Sequence, residues 1–110
     1  MATTNLINNA GTWELLKISP ITGGTFSLYV NKRQKLGAVK WQGSGTSLSA
    51  GVYSFTYSEL ITAAFTVLLP VYPTSAVGYL EVASGSASLR TEVASTWSSC
   101  TVIFPVSTIV

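Results

Sequence analysis

Apolar and polar residues alternate along this chain in short runs, and the runs are broken by Gly, Ser and Pro. Thr25 to Val30 puts Phe26, Leu28 and Val30 on one face, and Leu36 to Gln42 puts Val39 and Trp41 on one face. In Val52 to Ser58, Tyr53, Phe55 and Tyr57 share a face while Val52, Ser54 and Thr56 take the other. A period of two is the mark of a half-buried strand, because successive Cβ atoms point to opposite sides of a sheet. Further strands are expected at Thr12 to Ile18, Thr46 to Ala50, Val77 to Ala83, Ala87 to Ala94 and Trp97 to Phe104. Ala63 to Leu69 is apolar on nearly every position, as a central strand would be. Ser58 can cap one helical turn over Ser58 to Thr62.

Turn chemistry divides these runs. Ser19-Pro20 ends the first strand, Thr22-Gly23-Gly24 turns into the second, and Gly43-Ser44-Gly45, Ala50-Gly51 and Ser84-Gly85-Ser86 follow. Pro70 and Pro73 bracket an extended crossing segment. Many short strands at close intervals predict an all-β, single-domain antiparallel β-sandwich, of jelly-roll type, with roughly 7 to 9 short strands. The single domain covers 1–110, with residues 1–11 and 105–110 as extended arms. No repeat and no linker divides it.

Composition sharpens this picture. The chain has 110 residues, enough for one core. Only 9% of them are charged, against about 25% in a typical soluble domain. Ser and Thr take 29 positions instead. A surface so poor in charge is expected to be partly covered by copies of the chain or by a larger assembly.

The missing residue types exclude several functions. Without His there is no imidazole base and no Ser-His-Asp or Cys-His pair. Asp is absent, and the four Glu, at 14, 59, 81 and 92, are far apart in sequence. One Cys and no His cannot make a zinc site, and no run of acidic or amide side chains suits calcium. Gly43-Ser44-Gly45 is a turn and not a phosphate cradle. A non-catalytic protein without a cofactor is expected. Cys100 reads as a buried structural thiol. A net charge of +2 does not suit specific nucleic-acid binding. Leu60 to Tyr72 is too short and broken to span a bilayer. The first residues lack the pattern of a secretory leader, so synthesis in the cytoplasm is the expectation.

Three groups of residues are candidates for contact. The apolar ends, Leu6 and Ile7 at one and Val106, Ile109 and Val110 at the other, suit strand addition to a neighbour or completion of the chain's own sheet. On the first alternative, removing Pro105 to Val110 would weaken assembly more than it unfolds the protomer. The basic segment Lys32, Arg33 and Lys35 suits an acidic partner, or is a solvated hairpin tip that blocks edge pairing. The stripe Tyr53, Phe55, Tyr57, with Trp41 and Trp97, is either core or a platform for sugar rings. The expected function is a self-assembling structural protein: a virion (phage) coat, decoration or tail component, or a filament subunit. The alternative is a small carbohydrate-binding β-sandwich module.

Overall fold

The structure is a computed structural model that describes residues 12–71, 78–94 and 96–110. The described residues hold ten strands and no helix. In chain order they are β1 Trp13–Ile21, β2 Gly24–Asn31, β3 Leu36–Gly43, β4 Gly51–Thr56, β5 Leu60–Ile61, β6 Thr66–Val71, β7 Gly78–Ala83, β8 Ser86–Thr91, β9 Cys100–Pro105 and β10 Thr108–Ile109.

Two four-stranded antiparallel sheets form the layers. The first has the order β1-β2-β3-β9 and the second β4-β8-β7-β6. This is the expected all-β architecture of β-sandwich kind. Each sheet is a three-stranded meander plus one strand brought from elsewhere in the chain. The jelly-roll detail of the expectation finds no support in this order. β5 and β10 make a separate two-stranded ribbon, with Thr108 opposite Ile61 and Ile109 opposite Leu60.

The core lies between the layers. Phe26, Leu28, Val30, Val39, Trp41, Val102 and Phe104 line it from the first sheet. Phe55, Leu80, Val82, Ala87 and Leu89 line it from the second, and Leu48, Tyr57, Leu60, Trp97 and Val106 close it from the connections. Phe26 stacks on Phe55 across the layers, and Phe104 contacts both Tyr57 and Phe65. Tyr57 is anchored at both ends. Its hydroxyl donates to the Ala83 carbonyl at 2.9 Å and its amide donates to the Gly85 carbonyl at 2.9 Å.

Several expected boundaries shift, each for a physical reason. β1 runs through Ser19 and Pro20 to Ile21. It is an edge strand, where the missing proline N–H need not break a ladder. The turn expected at Ser58 to Thr62 is β5, drawn into strand by its pairing with β10. Thr46 to Ala50 makes only an isolated bridge at Leu48. The apolar run near residue 66 is β6, an edge strand and not a central one, and its Val67 and Leu68 are exposed.

Three of the four sheet edges are guarded. β1 carries Pro20 and a register shift between Leu15 and Lys17, β9 ends at Pro105, and β6 contains Pro70. The shift turns Lys17 inward. Its ammonium lies 5.4 Å from the centre of the Phe55 ring and donates to the Thr56 carbonyl at 2.6 Å. Prolines, bulges and inward-pointing charges at edges all oppose strand addition by another chain.

Candidate functional site

The two outer faces of the sandwich differ in chemistry, and that difference defines the candidate site. On the first sheet, register places Leu15 opposite Tyr29, Tyr29 opposite Ala38 and Ala38 opposite Ile103. These four side chains form one apolar row across all four strands. Trp13, Leu36 and Pro105 extend it on one side, and Ile18 lies on the other. Leu15 is 51% exposed and Ile18 and Ile103 are each 57% exposed, while Tyr29 is half-buried and Ala38 is buried between its neighbours.

An antiparallel sheet with one solvated face normally alternates apolar inside and polar outside. The second sheet keeps closer to this rule. Its outer rows join Ser54, Ser88, Glu81 and Leu68, then Thr56, Ser86, Ala83 and Thr66, with Val52, Arg90 and Tyr79 in a third, so its exposed large apolar side chains, Val52 and Leu68, are set among polar ones. The first sheet breaks the rule on its outer side, with large apolar side chains where polar ones are expected.

Within this face, Trp13, Tyr29, Ala38, Lys40, Thr101 and Ile103 line an open groove of about 430 Å³. The Lys40 side chain is the cation among them. The ion pairs among the described residues are Lys32–Glu14 at 3.6 Å and Arg90–Glu92 at 3.1 Å, so Lys40 is not engaged in one.

The basic segment sits at one end of the same sheet. Lys32, Arg33 and Lys35 are exposed in the turn between β2 and β3. Asn31 is fully buried at its base, and its side-chain oxygen accepts from the Gln34 amide at 3.1 Å. Lys35 takes a left-handed conformation with φ of 54°, and its carbonyl accepts from the Val106 amide at 2.9 Å. The loop is a braced hairpin tip. Its Lys32–Glu14 pair is open to solvent, where such pairs contribute little.

The apolar ends are placed as follows. Leu6 and Ile7 lie outside the described residues. Val106 is buried in the protomer core, and Ile109 packs against that core. Val110 is 78% exposed, yet its amide donates to the Glu59 carbonyl at 2.9 Å. Of the two placements open to the C-terminal segment, the geometry puts it in the chain's own sheet.

The aromatic stripe is core. Phe55, Tyr57, Trp41 and Trp97 are all buried, and Tyr53 is half-buried, packed against the core with its hydroxyl donating to the Ser49 carbonyl at 2.6 Å. The indole N–H groups of Trp41 and Trp97 have no hydrogen-bond partner among the described residues. Burial pushes the Tyr57 hydroxyl above its usual pKa. It also pushes the Cys100 thiol up, away from the reactive thiolate. No group of three His, Cys, Asp or Glu side chains that could hold a metal occurs among the described residues. No helix of the described residues is long and apolar enough to cross a membrane.

Comparison of the chain with protein-family models, with curated proteins and with solved structures finds no match. Sequence reasoning missed Trp13, Tyr29, Ala38 and Ile103 as a group because they lie on four different strands. The available signal was weak: Trp13, Leu15 and Ile18 are spaced so that a strand with an extra residue between Leu15 and Lys17 gathers them on one side.

Proposed function

We propose that this protein is a non-catalytic, self-associating structural subunit whose working contact is the outer face of the first sheet. A virion coat, decoration or tail component, or a filament subunit, is the setting that the small sandwich and low charge suggest. The observation that carries the reading is the apolar row Leu15, Tyr29, Ala38 and Ile103 on a face that would otherwise be polar. Large apolar side chains left exposed on one face of a small domain, here Leu15, Ile18 and Ile103, mark a contact with another macromolecule. Its burial would drive association, at roughly 25 cal/mol per Å² before the entropic costs are subtracted.

Two further features favour faces over edges or arms as the means of assembly. Three of the four edge strands, β1, β6 and β9, carry a proline, and β1 also turns Lys17 inward. The C-terminal strand is spent on β5 within the protomer. The test is the mass of the purified protein by light scattering, with negative-stain images of the same fractions. Discrete oligomers, rings or fibres that grow with concentration support the reading. A monomer of 11.6 kDa at all concentrations overturns it.

One observation favours a carbohydrate-binding module as the second reading. Trp13 and Tyr29 flank an open groove that also offers the Lys40 ammonium and the Thr101 hydroxyl. Aromatic rings beside hydrogen-bonding groups can stack on a pyranose face and hold its hydroxyls. Retention of a monomer on glycan resin, lost in Trp13→Ala, would favour this reading over assembly.

A further inference from the structure

The two outer faces are complementary in charge as well as different in polarity. Lys40 stands on β3, an inner strand of the first sheet, in the row Ile18, Ser27, Lys40, Thr101. Glu81 stands on β7, an inner strand of the second sheet, in the row Ser54, Ser88, Glu81, Leu68. Neither belongs to the two ion pairs of the described residues. Arg90 shares the second face, in the row next to Glu81, but it is taken up by Glu92 at 3.1 Å, so Lys40 and Glu81 are the charges on these inner strands outside an ion pair of the described residues. Leu68, 56% exposed beside Glu81, gives the second face an apolar spot as well.

We infer that the partner of the first sheet's outer face is the second sheet's outer face of another copy, with Lys40 meeting Glu81 across a head-to-tail contact. This rests on the self-association reading above and specifies its geometry. A twofold pairing of two first-sheet faces would bring two copies of Lys40 into one apolar interface. Like charges placed together in an interface repel, whereas opposite charges fix register and partner choice. The head-to-tail arrangement removes the repulsion and matches the unpaired cation to the unpaired acid.

Face area points the same way. Four strands of this length span a plane of roughly 500 Å². Stable interfaces bury about 800 Å² on each partner. One such contact is weak by itself. A heterologous contact uses both faces of every copy, so each internal subunit is held twice, and the array closes as a ring or runs on as a filament.

The test is sedimentation velocity on the full chain and on Lys40→Glu, Glu81→Lys and the double variant, with a thermal melt of each to confirm folding. Both side chains lie half-buried on outer faces and outside the core, so the folds should persist. Head-to-tail pairing predicts that each single variant associates on the order of tenfold more weakly or worse. It predicts that the double variant recovers, and that mixing the two single variants restores association. The Glu81→Lys variant is decisive, because a twofold pairing of first-sheet faces leaves it unaffected. Assembly that survives Glu81→Lys unchanged overturns the head-to-tail inference and leaves self-association standing. A wild-type chain that never associates overturns both.

Discussion

The rings of Phe26 in β2 and Phe55 in β4 lie stacked across the two sheets, with centroids 5.4 Å apart and planes within 3° of parallel. Trp41 meets the same Phe26 edge-on at 4.9 Å, and the Lys17 ammonium covers Phe55 from the open side. This cluster joins the layers at the end where β1 and β4 would otherwise leave the core open. Replacing Phe55 with Ala removes the ring and strands both Phe26 and Lys17. The expected cost is about 3–5 kcal/mol, as for other buried Phe truncations. Urea unfolding followed by tryptophan fluorescence measures it.

Gly43 ends β3 where the backbone of Trp97 passes against it. A Cβ built there collides with the Trp97 carbonyl oxygen, which belongs to the backbone and cannot swing away. Gly43→Ala is therefore expected to destabilise by about 2 kcal/mol or more through forced backbone shifts. Gly45→Ala is the contrast. A Cβ at Gly45 meets nothing, and the cost there comes from its φ of 88° alone. Paired thermal melts of the two variants separate the effects.

Removing residues 108–110 deletes β10, the Ile109 packing and the bond from the Val110 amide to Glu59. The protomer should lose about 1–3 kcal/mol from apolar burial and hydrogen bonding together. The same truncation leaves the first sheet's outer face whole. Association per folded molecule should then be unchanged, which concentration-dependent sedimentation of the truncated protein checks.

Cys100 faces the core from β9, opposite Trp41, and burial raises its thiol pKa. A raised pKa shrinks the thiolate fraction at neutral pH, and the thiolate is the species that attacks. Native protein should react with a disulfide reagent at pH 7 far more slowly than free cysteine does. The rate should rise with pH through and above the ordinary thiol range. In guanidinium the difference should vanish.

Some of this was legible in the alternation of residues and some was not. Phe26, Leu28 and Val30, or Tyr53, Phe55 and Tyr57, need only a period of two to be assigned to one face, because a strand's geometry sets that locally. The layers of the sandwich follow from such stripes. Pairing partners do not. β5 is a strand because Thr108 and Ile109 come back to it from the far end of the chain, so a local reading favoured a helical turn capped by Ser58. The run around Thr66 is rich in apolar residues on both sides, which suggested a central strand. Its position at the sheet edge depends on which strands the sheet recruits. The candidate site fails the local reading for the same reason. Leu15, Tyr29, Ala38 and Ile103 each look like an ordinary outward or inward residue until register sets them side by side.

The central claim is that the first sheet's outer face associates with other copies of the chain. The most direct test is the weight-average mass over a concentration series from micromolar to millimolar, for the wild type and for Ile103→Lys side by side. Ile103 is exposed, so the variant should keep its melting temperature. The account predicts a wild-type mass that climbs well above 11.6 kDa and an Ile103→Lys mass that stays near it. Equal masses for the two proteins across the series, whether both climb or both stay monomeric, would contradict it.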